Sequence, residues 1–179
     1  MTMRLSVGFL STRLIVLVLL TLAGTASQAA SQSDATIVYL VRHSERAEDG
    51  SDDPPTSAEG RERSTLIASM LADADLTQIH TTDLKRTRQT GTPTAEAAGI
   101  DFMLYDPGDL QSFADELKAT PGRHLVLGHS NTTPQMVTAL GGDPGSDIEE
   151  MEYDRFYIVT LTDAGASTVL IRFGAPFGG

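Results

Sequence analysis

The sequence predicts an α/β protein: a three-layer α/β/α sandwich on a mostly parallel sheet with an antiparallel edge strand. Three observations carry this. Short apolar, β-branched runs alternate with helix-period stretches between residues 35 and 141, the pattern of consecutive strand–helix–strand units. Runs such as TIVYLV (36–41) and LVL (125–127) are apolar at successive positions, as strands buried between two helix layers are. The last two strand-like runs, RFYIVTLT (155–162) and STVLIRF (167–173), have only Asp163-Ala164-Gly165-Ala166 between them and read as a hairpin.

Taken in order, residues 30–34 are a loose polar leader and the first strand is about 35–41. SERAEDGSDDPPTS (44–57) is a long polar loop with two prolines. Thr56 and Glu59 make a capping-box pattern for a helix over 58–73, whose apolar positions Leu66, Ile67, Met70 and Leu71 recur at helical spacing. A short strand follows over 76–81. Asp83 is placed to cap a helix over 84–98, and Gly99 to end it. DFMLY (101–105) is the third strand, Asp106-Pro107-Gly108 a turn, and 109–119 the third helix. RHLVLG (123–128) is the fourth strand, and Pro134 sits at a first helical position, opening a helix that ends at Gly141-Gly142.

Ahead of this domain, Arg4 and Arg13 lead into LIVLVLLTLA (14–23), and small residues follow. A basic stretch, about ten apolar residues and a small-residue zone make a cleavable signal peptide, cut after Ala29. A membrane span needs about 20 apolar residues; an uncleaved anchor is the alternative. The reading is therefore a signal peptide at 1–29 and a single domain at 30–179, in the periplasm or secreted, with no stable membrane association after processing. Without Arg4 and Arg13 the chain keeps 11 basic residues against 24 acidic ones, a charge of −13. Such a charge opposes nucleic acid and anionic membranes. The absence of cysteine excludes disulfides and thiolate metal sites.

Two segments carry the chemistry: Val-Arg-His-Ser-Glu at 41–45 and Gly-His-Ser-Asn-Thr at 128–132. Each puts a histidine just after a strand, at the carboxyl end, where open α/β sheets build their sites. An arginine beside two imidazoles in an acidic protein points to a pocket for a phosphoryl group.

VYLVRHSER (38–46) resembles the first signature of the histidine phosphatase (phosphoglycerate mutase-like) superfamily, with Ser44 where many members have glycine. IHTTDLKRTRQTGTPTAEAAG (79–99) and LVLGHSNTTP (125–134) are similar to its second and third blocks, in the family's order. The resemblance implies that His43 is the nucleophile and that Arg42 and Arg86 clamp the phosphoryl group. It makes His129 a donor to the charge developing in the transition state. It implies a metal-independent phosphatase that hydrolyses phosphate monoesters through a phosphohistidine. No cofactor is expected, and the partner is a small phosphorylated substrate or a phosphoprotein. An arginine beside the histidines opposes a bound cation, so no metal is expected either. The leaving-group acid is drawn from different places in different branches; one uses an Asp directly after the second histidine, which here is Ser130. Asp106, at the end of the third strand, is the candidate in its place. Asp109 is the next, although a helix cap suits it equally.

Lys85, Arg88, Glu45 and Arg46 read as solvated surface, and His80 and His124 as structural. Asn131 and Thr132 either cap the following helix, orient His129 or touch substrate. Two other functions remain open: a mutase that returns the phosphoryl group to the product, and a binding protein that holds a phosphorylated ligand without turnover.

Overall fold

Residues 35–178 are described by a computed structural model, and the signal peptide expected at 1–29 lies outside them. Six strands, β1 (Thr36–Arg42), β2 (Gln78–Thr81), β3 (Phe102–Leu104), β4 (Arg123–Gly128), β5 (Arg155–Thr162) and β6 (Gly165–Arg172), form one sheet in the order β3-β2-β4-β1-β5-β6. β1, β2, β3 and β4 pair in parallel; β5 runs antiparallel to β1, and β6 antiparallel to β5. The antiparallel edge is thus two strands wide rather than one, because the hairpin's first strand docks directly on β1.

The two-residue period of the strands sorts their side chains into two cores. Val38, Leu40, Val126, Tyr157 and Val159 face one helix layer, α3 (Leu110–Ala119) and α4 (Thr132–Ala139), through Phe113, Leu117, Met136 and Val137. Val41, Ile79, Leu125, Leu127 and Phe156 face the other layer, α1 (Ala58–Met70) and α2 (Lys85–Ala98), through Ile67 and Ala95. Three layers result, and each fully buried Leu, Ile or Val contributes about 1.5–3 kcal/mol. β1 and β4 lie side by side at the centre, in a register that sets Arg42 opposite Gly128.

Three helix starts differ from the sequence reading, and in the third α4 opens at Thr132, two residues before Pro134. α1 is capped by Ser57, whose Oγ accepts from the Gly60 N–H at 3.1 Å. Thr56 is occupied elsewhere: its N–H donates to Gln89 Oε1 on α2 at 2.8 Å and its hydroxyl to the same oxygen at 3.1 Å. α2 begins after Leu84 with no cap from its own segment, because the Asp83 carboxylate takes the Arg88 guanidinium at 2.7 Å. The cap comes from the 44–57 loop, whose Asp53 accepts from the Lys85 N–H at 3.0 Å. Gly99 does end α2 in the left-handed conformation, φ 66°, and Asp109 does cap α3, accepting from the Ser112 N–H at 3.2 Å.

Candidate active site

The site grows from the carboxyl ends of β1 and β4. Beyond the last pair of those strands the His43 N–H still donates to the Gly128 carbonyl, at 2.8 Å, so the backbone of His43 is fixed as firmly as the sheet. Close approach demands glycine at 128, where a Cβ would stand 2.7 Å from Thr133 Oγ1. The loop after His43 is pressed equally hard against α1: a Cβ at Gly60 would meet the Glu45 carbonyl oxygen at 2.2 Å. Ser44 is fully buried. Its N–H donates to Thr90 Oγ1 on α2 at 2.8 Å, and its hydroxyl is 3.2 Å from that of Ser64 on α1. Serine therefore fits this position by joining both helices.

His43 is buried, 3% exposed, and its Nδ1 lies 2.8 Å from the Ser44 carbonyl oxygen. A carbonyl only accepts, so Nδ1 carries the proton and Nε2 keeps its lone pair. Burial pushes the His43 pKa down to about 3, helped by Arg42, His129 and Arg86 and opposed by the Ser44 bond. At neutral pH the ring is uncharged. His129 is held the same way: burial first, then Arg86 and Arg42, lower its pKa to about 4. Its Nε2 shares a 3.1 Å hydrogen bond with Thr82 Oγ1, which in turn meets Thr87 Oγ1 at 2.9 Å. The His129 N–H donates to Thr132 Oγ1 at 2.9 Å, so Thr132 orients this turn as well as opening α4. The two imidazole centroids are 5.4 Å apart, edge to face.

Arg42 is 4% exposed. Its Nη1 donates to the carbonyls of Glu149 and Glu152 at 2.9 and 3.0 Å, and its guanidinium lies 4.1 Å over the Tyr153 ring. That ring also approaches His43, at 6.0 Å. Arg86, second residue of α2, stands 3.8 Å from Asp53. The Nε atoms of Arg42 and Arg86 are buried and without a hydrogen-bond partner among the described residues. Orphaned buried N–H groups are rare because each costs about 1–3 kcal/mol, and more when charged. Two of them beside two neutral imidazoles describe a preformed pocket for an anion.

Sequence comparison agrees with this geometry. A family model described as "Histidine phosphatase superfamily (branch 1)" matches residues 38–106. Over those residues the chain resembles the histidine phosphatase superfamily. Among curated relatives, a probable phosphoglycerate mutase GpmB of Escherichia fergusonii is 38% identical over 76 residues, 39% of this chain and 35% of that protein. In that match the chain spans about a third of the relative's length. The Yersinia enterocolitica protein of the same name is 29% identical over 153 residues, 79% of this chain and 71% of that one. Among solved structures, the protein histidine phosphatase SixA complexed with tungstate superposes with a TM-score of 0.62 at 20% identity, covering 75% of this chain and 94% of that one. A mycobacterial glucosyl-3-phosphoglycerate phosphatase gives 0.59 at 14%, covering 79% and 99%. At these identities the likeness is one of fold.

The superfamily's blocks thus converge: His43, Arg42, His129 and Arg86 come together from β1, β4 and α2. Asp106 does not join them. It is exposed, and its Oδ1 accepts from the Gly108 N–H at 2.8 Å. β2 and β4 lie between its strand and β1, and at about 4.8 Å per strand the turn starts roughly 14 Å across the sheet from His43. Asp109 is committed to its cap. Among the described residues no three His, Cys, Asp or Glu side chains converge to hold a metal.

Sequence reasoning missed the cradle of Arg42. Glu152 is 2% exposed. It accepts from Arg155 Nε at 2.6 Å and from the Glu149 N–H at 3.0 Å, and it also pairs with Arg172. Burial alone would raise its pKa, but Arg155, the Glu149 N–H and Arg172 outweigh burial and hold it at about 2. This charge cluster fixes the 149–153 backbone whose carbonyls hold Arg42. Its trace in the sequence is the alternation of acids and arginine in EEMEYDR (149–155), which names no partner for Arg42. Glu45 is likewise no surface group: its carboxylate takes the buried Arg63 on α1 at 2.7 Å, and Arg63 reaches the Phe173 carbonyl at 3.0 Å.

Proposed function

We propose that this chain hydrolyses phosphate monoesters through a phosphohistidine on His43, without a metal. The observation that carries the reading is the pairing of a free, neutral His43 Nε2 with two buried, unpartnered guanidinium Nε atoms. Arg42 and Arg86 hold the phosphoryl oxygens, and His129 donates to the third. The Nε2 lone pair attacks phosphorus; an Nε2–P bond forms as the P–O bond to the leaving group breaks. The leaving oxygen keeps that electron pair and takes a proton. Water then attacks phosphorus, the Nε2–P bond breaks, and its electrons return to Nε2 as phosphate departs. With Asp106 engaged at Gly108, solvent supplies the leaving group's proton, which favours groups that leave easily.

The experiment is phosphate release from a panel of phosphate esters in EDTA, with and without vanadate, which mimics the five-coordinate transition state. Release that survives EDTA and falls with vanadate is expected. Loss in EDTA with rescue by zinc contradicts the metal-free reading. Phosphoryl transfer between two phosphoglycerates without net release would make the chain a mutase, the activity in the names of its curated relatives. We also propose that the 1–29 segment directs export and is removed near Ala29. N-terminal sequencing of the extracytoplasmic protein tests this; an intact Met1 on cytoplasmic protein contradicts it.

A further inference from the structure

Resting on this phosphate-ester reading, the next question is what the phosphoryl group is attached to. Both histidines are neutral at pH 7, so the fixed positive charge of the pocket is that of Arg42 and Arg86. Each of these guanidiniums has one carboxylate beside it, from a different loop. Glu150 Oε2 stands 3.9 Å from Arg42, and Asp53 Oδ1 stands 3.8 Å from Arg86. The two loops are the acidic parts of the chain. Residues 44–57 hold five acids and one arginine, and residues 140–154 hold six acids and no base.

Some of these acids are consumed by structure: Glu45 by Arg63, and Glu152 and Asp154 by Arg155 and Arg172. Asp53 is half-buried and caps α2; the remaining acids face solvent. The first loop is closed at its base by the pairing of Arg46 with Thr56, which leaves Glu48, Asp49 and Asp52 on its excursion, next to the Asp53 that reaches Arg86. In the second loop Asp147 and Glu149 flank the segment that holds Arg42. Three neighbouring arginines are already engaged. Arg46 pairs with Glu150 at 3.0 Å, Arg88 with Asp83 at 2.7 Å, and Arg61 donates to the Thr56 carbonyl at 3.1 Å. Lys85, at the start of α2 and near Asp49, is exposed and in no salt bridge among the described residues, so a second anionic group on the substrate would meet several carboxylates and this one cation.

We infer that the two acidic loops make the site selective for phosphate esters flanked by cationic groups, and poor at polyanionic ones. Arg42 and Arg86 attract one phosphoryl dianion into the buried pocket; Asp53, Glu150 and their neighbours read the charge of what surrounds it. Like-charge juxtaposition at a rim acts mainly on specificity and encounter, and it is screened by salt.

The test uses two short phosphoserine peptides, identical except for two lysines or two glutamates beside the phosphoserine. The leaving group is the same in both, so any acid catalysis cancels in the ratio. At about 0.01 M ionic strength the expected kcat/KM is at least about tenfold higher for the lysine peptide, and the ratio shrinks towards one near 1 M, where the Debye length is about 3 Å. In the Asp53→Asn, Glu150→Gln double variant, where the residue 53 side chain can still accept from the Lys85 N–H and keep α2 capped, the ratio drops at low salt. A ratio of one or below in the wild type, or a ratio unchanged in the double variant, overturns the inference. Nitrophenyl phosphate hydrolysed without peptide preference leaves the function standing and the inference refuted. If no ester is hydrolysed, the function fails; the inference is then decided by the equilibrium affinities of the two peptides, and equal affinities overturn it.

Discussion

At His43 the chemistry turns on which ring nitrogen holds the proton, and the Ser44 carbonyl 2.8 Å from Nδ1 decides it in favour of an Nε2 lone pair. His43→Ala removes the attacking atom and should reduce turnover to background, with the fold intact by circular dichroism. In the proposed mechanism Arg86 clamps the transition state, so Arg86→Ala should cost about 10²–10³ in kcat, roughly 3–4 kcal/mol. Asp106→Asn should change kcat by no more than a few-fold on both nitrophenyl and alkyl phosphates, because this carboxylate is spent on Gly108. A selective loss on the alkyl ester would restore Asp106 as the acid. Arg86 shares its helix start with Lys85 and Arg88, and the family resemblance alone singled it out; Arg42, His43 and His129 were legible because each stands at a strand end. Asp106 has the same landmark, but a strand end says nothing about which strands lie between it and the nucleophile.

At the scale of elements, the 144–154 segment works as the back wall of Arg42, and Glu152 with Arg155 and Arg172 holds that wall together. Removing one partner of such a buried cluster leaves an uncompensated charge, at a cost of about 3–5 kcal/mol. Arg155→Met should therefore lower stability by that order in urea titration. It should also raise KM and weaken vanadate inhibition, since the Glu149 and Glu152 carbonyls no longer hold Arg42 in place. An effect on stability without any change in vanadate affinity would show that the wall does not position the arginine. This part of the site was illegible in sequence, because the partners are backbone carbonyls more than 100 residues from Arg42. Helix caps show the same limit. Gly99 and Asp109 cap locally and were readable; Asp53 caps α2 across 32 residues and was not.

Across the whole molecule, strand–helix alternation gave the three layers and the parallel centre, since burial on both faces demands apolar runs and the crossovers demand helices. It did not give the strand order, which follows from packing that no local pattern encodes. The four histidines of the described domain share one physical property: burial lowers the pKa of each, to about 3 at His43 and about 4 at His80 and His129, and downward at His124 as well. His124 Nε2–H donates to the Thr120 carbonyl at 3.0 Å, leaving Nδ1 to accept from His80 Nε2–H at 3.2 Å, so this inner pair is stable only when neutral. The unfolded chain takes up protons near pH 6.5 that the folded one refuses until about pH 4. Stability from these groups is full above about pH 6.5 and is lost as pH falls towards 4. The melting temperature should drop steadily over that window, and it should drop less in a His80→Gln, His124→Gln double variant. A flat profile from pH 7 to 4.5 would contradict the assignment of four buried neutral rings.

The central claim is that His43 itself carries the phosphoryl group, and rapid quenching with a phosphate-labelled substrate tests it most directly. The account predicts an acid-labile, base-stable label on His43, located by mass spectrometry, formed within one turnover in EDTA and absent from His43→Ala. Turnover without a labelled protein, or label and full activity persisting in His43→Ala, would contradict it.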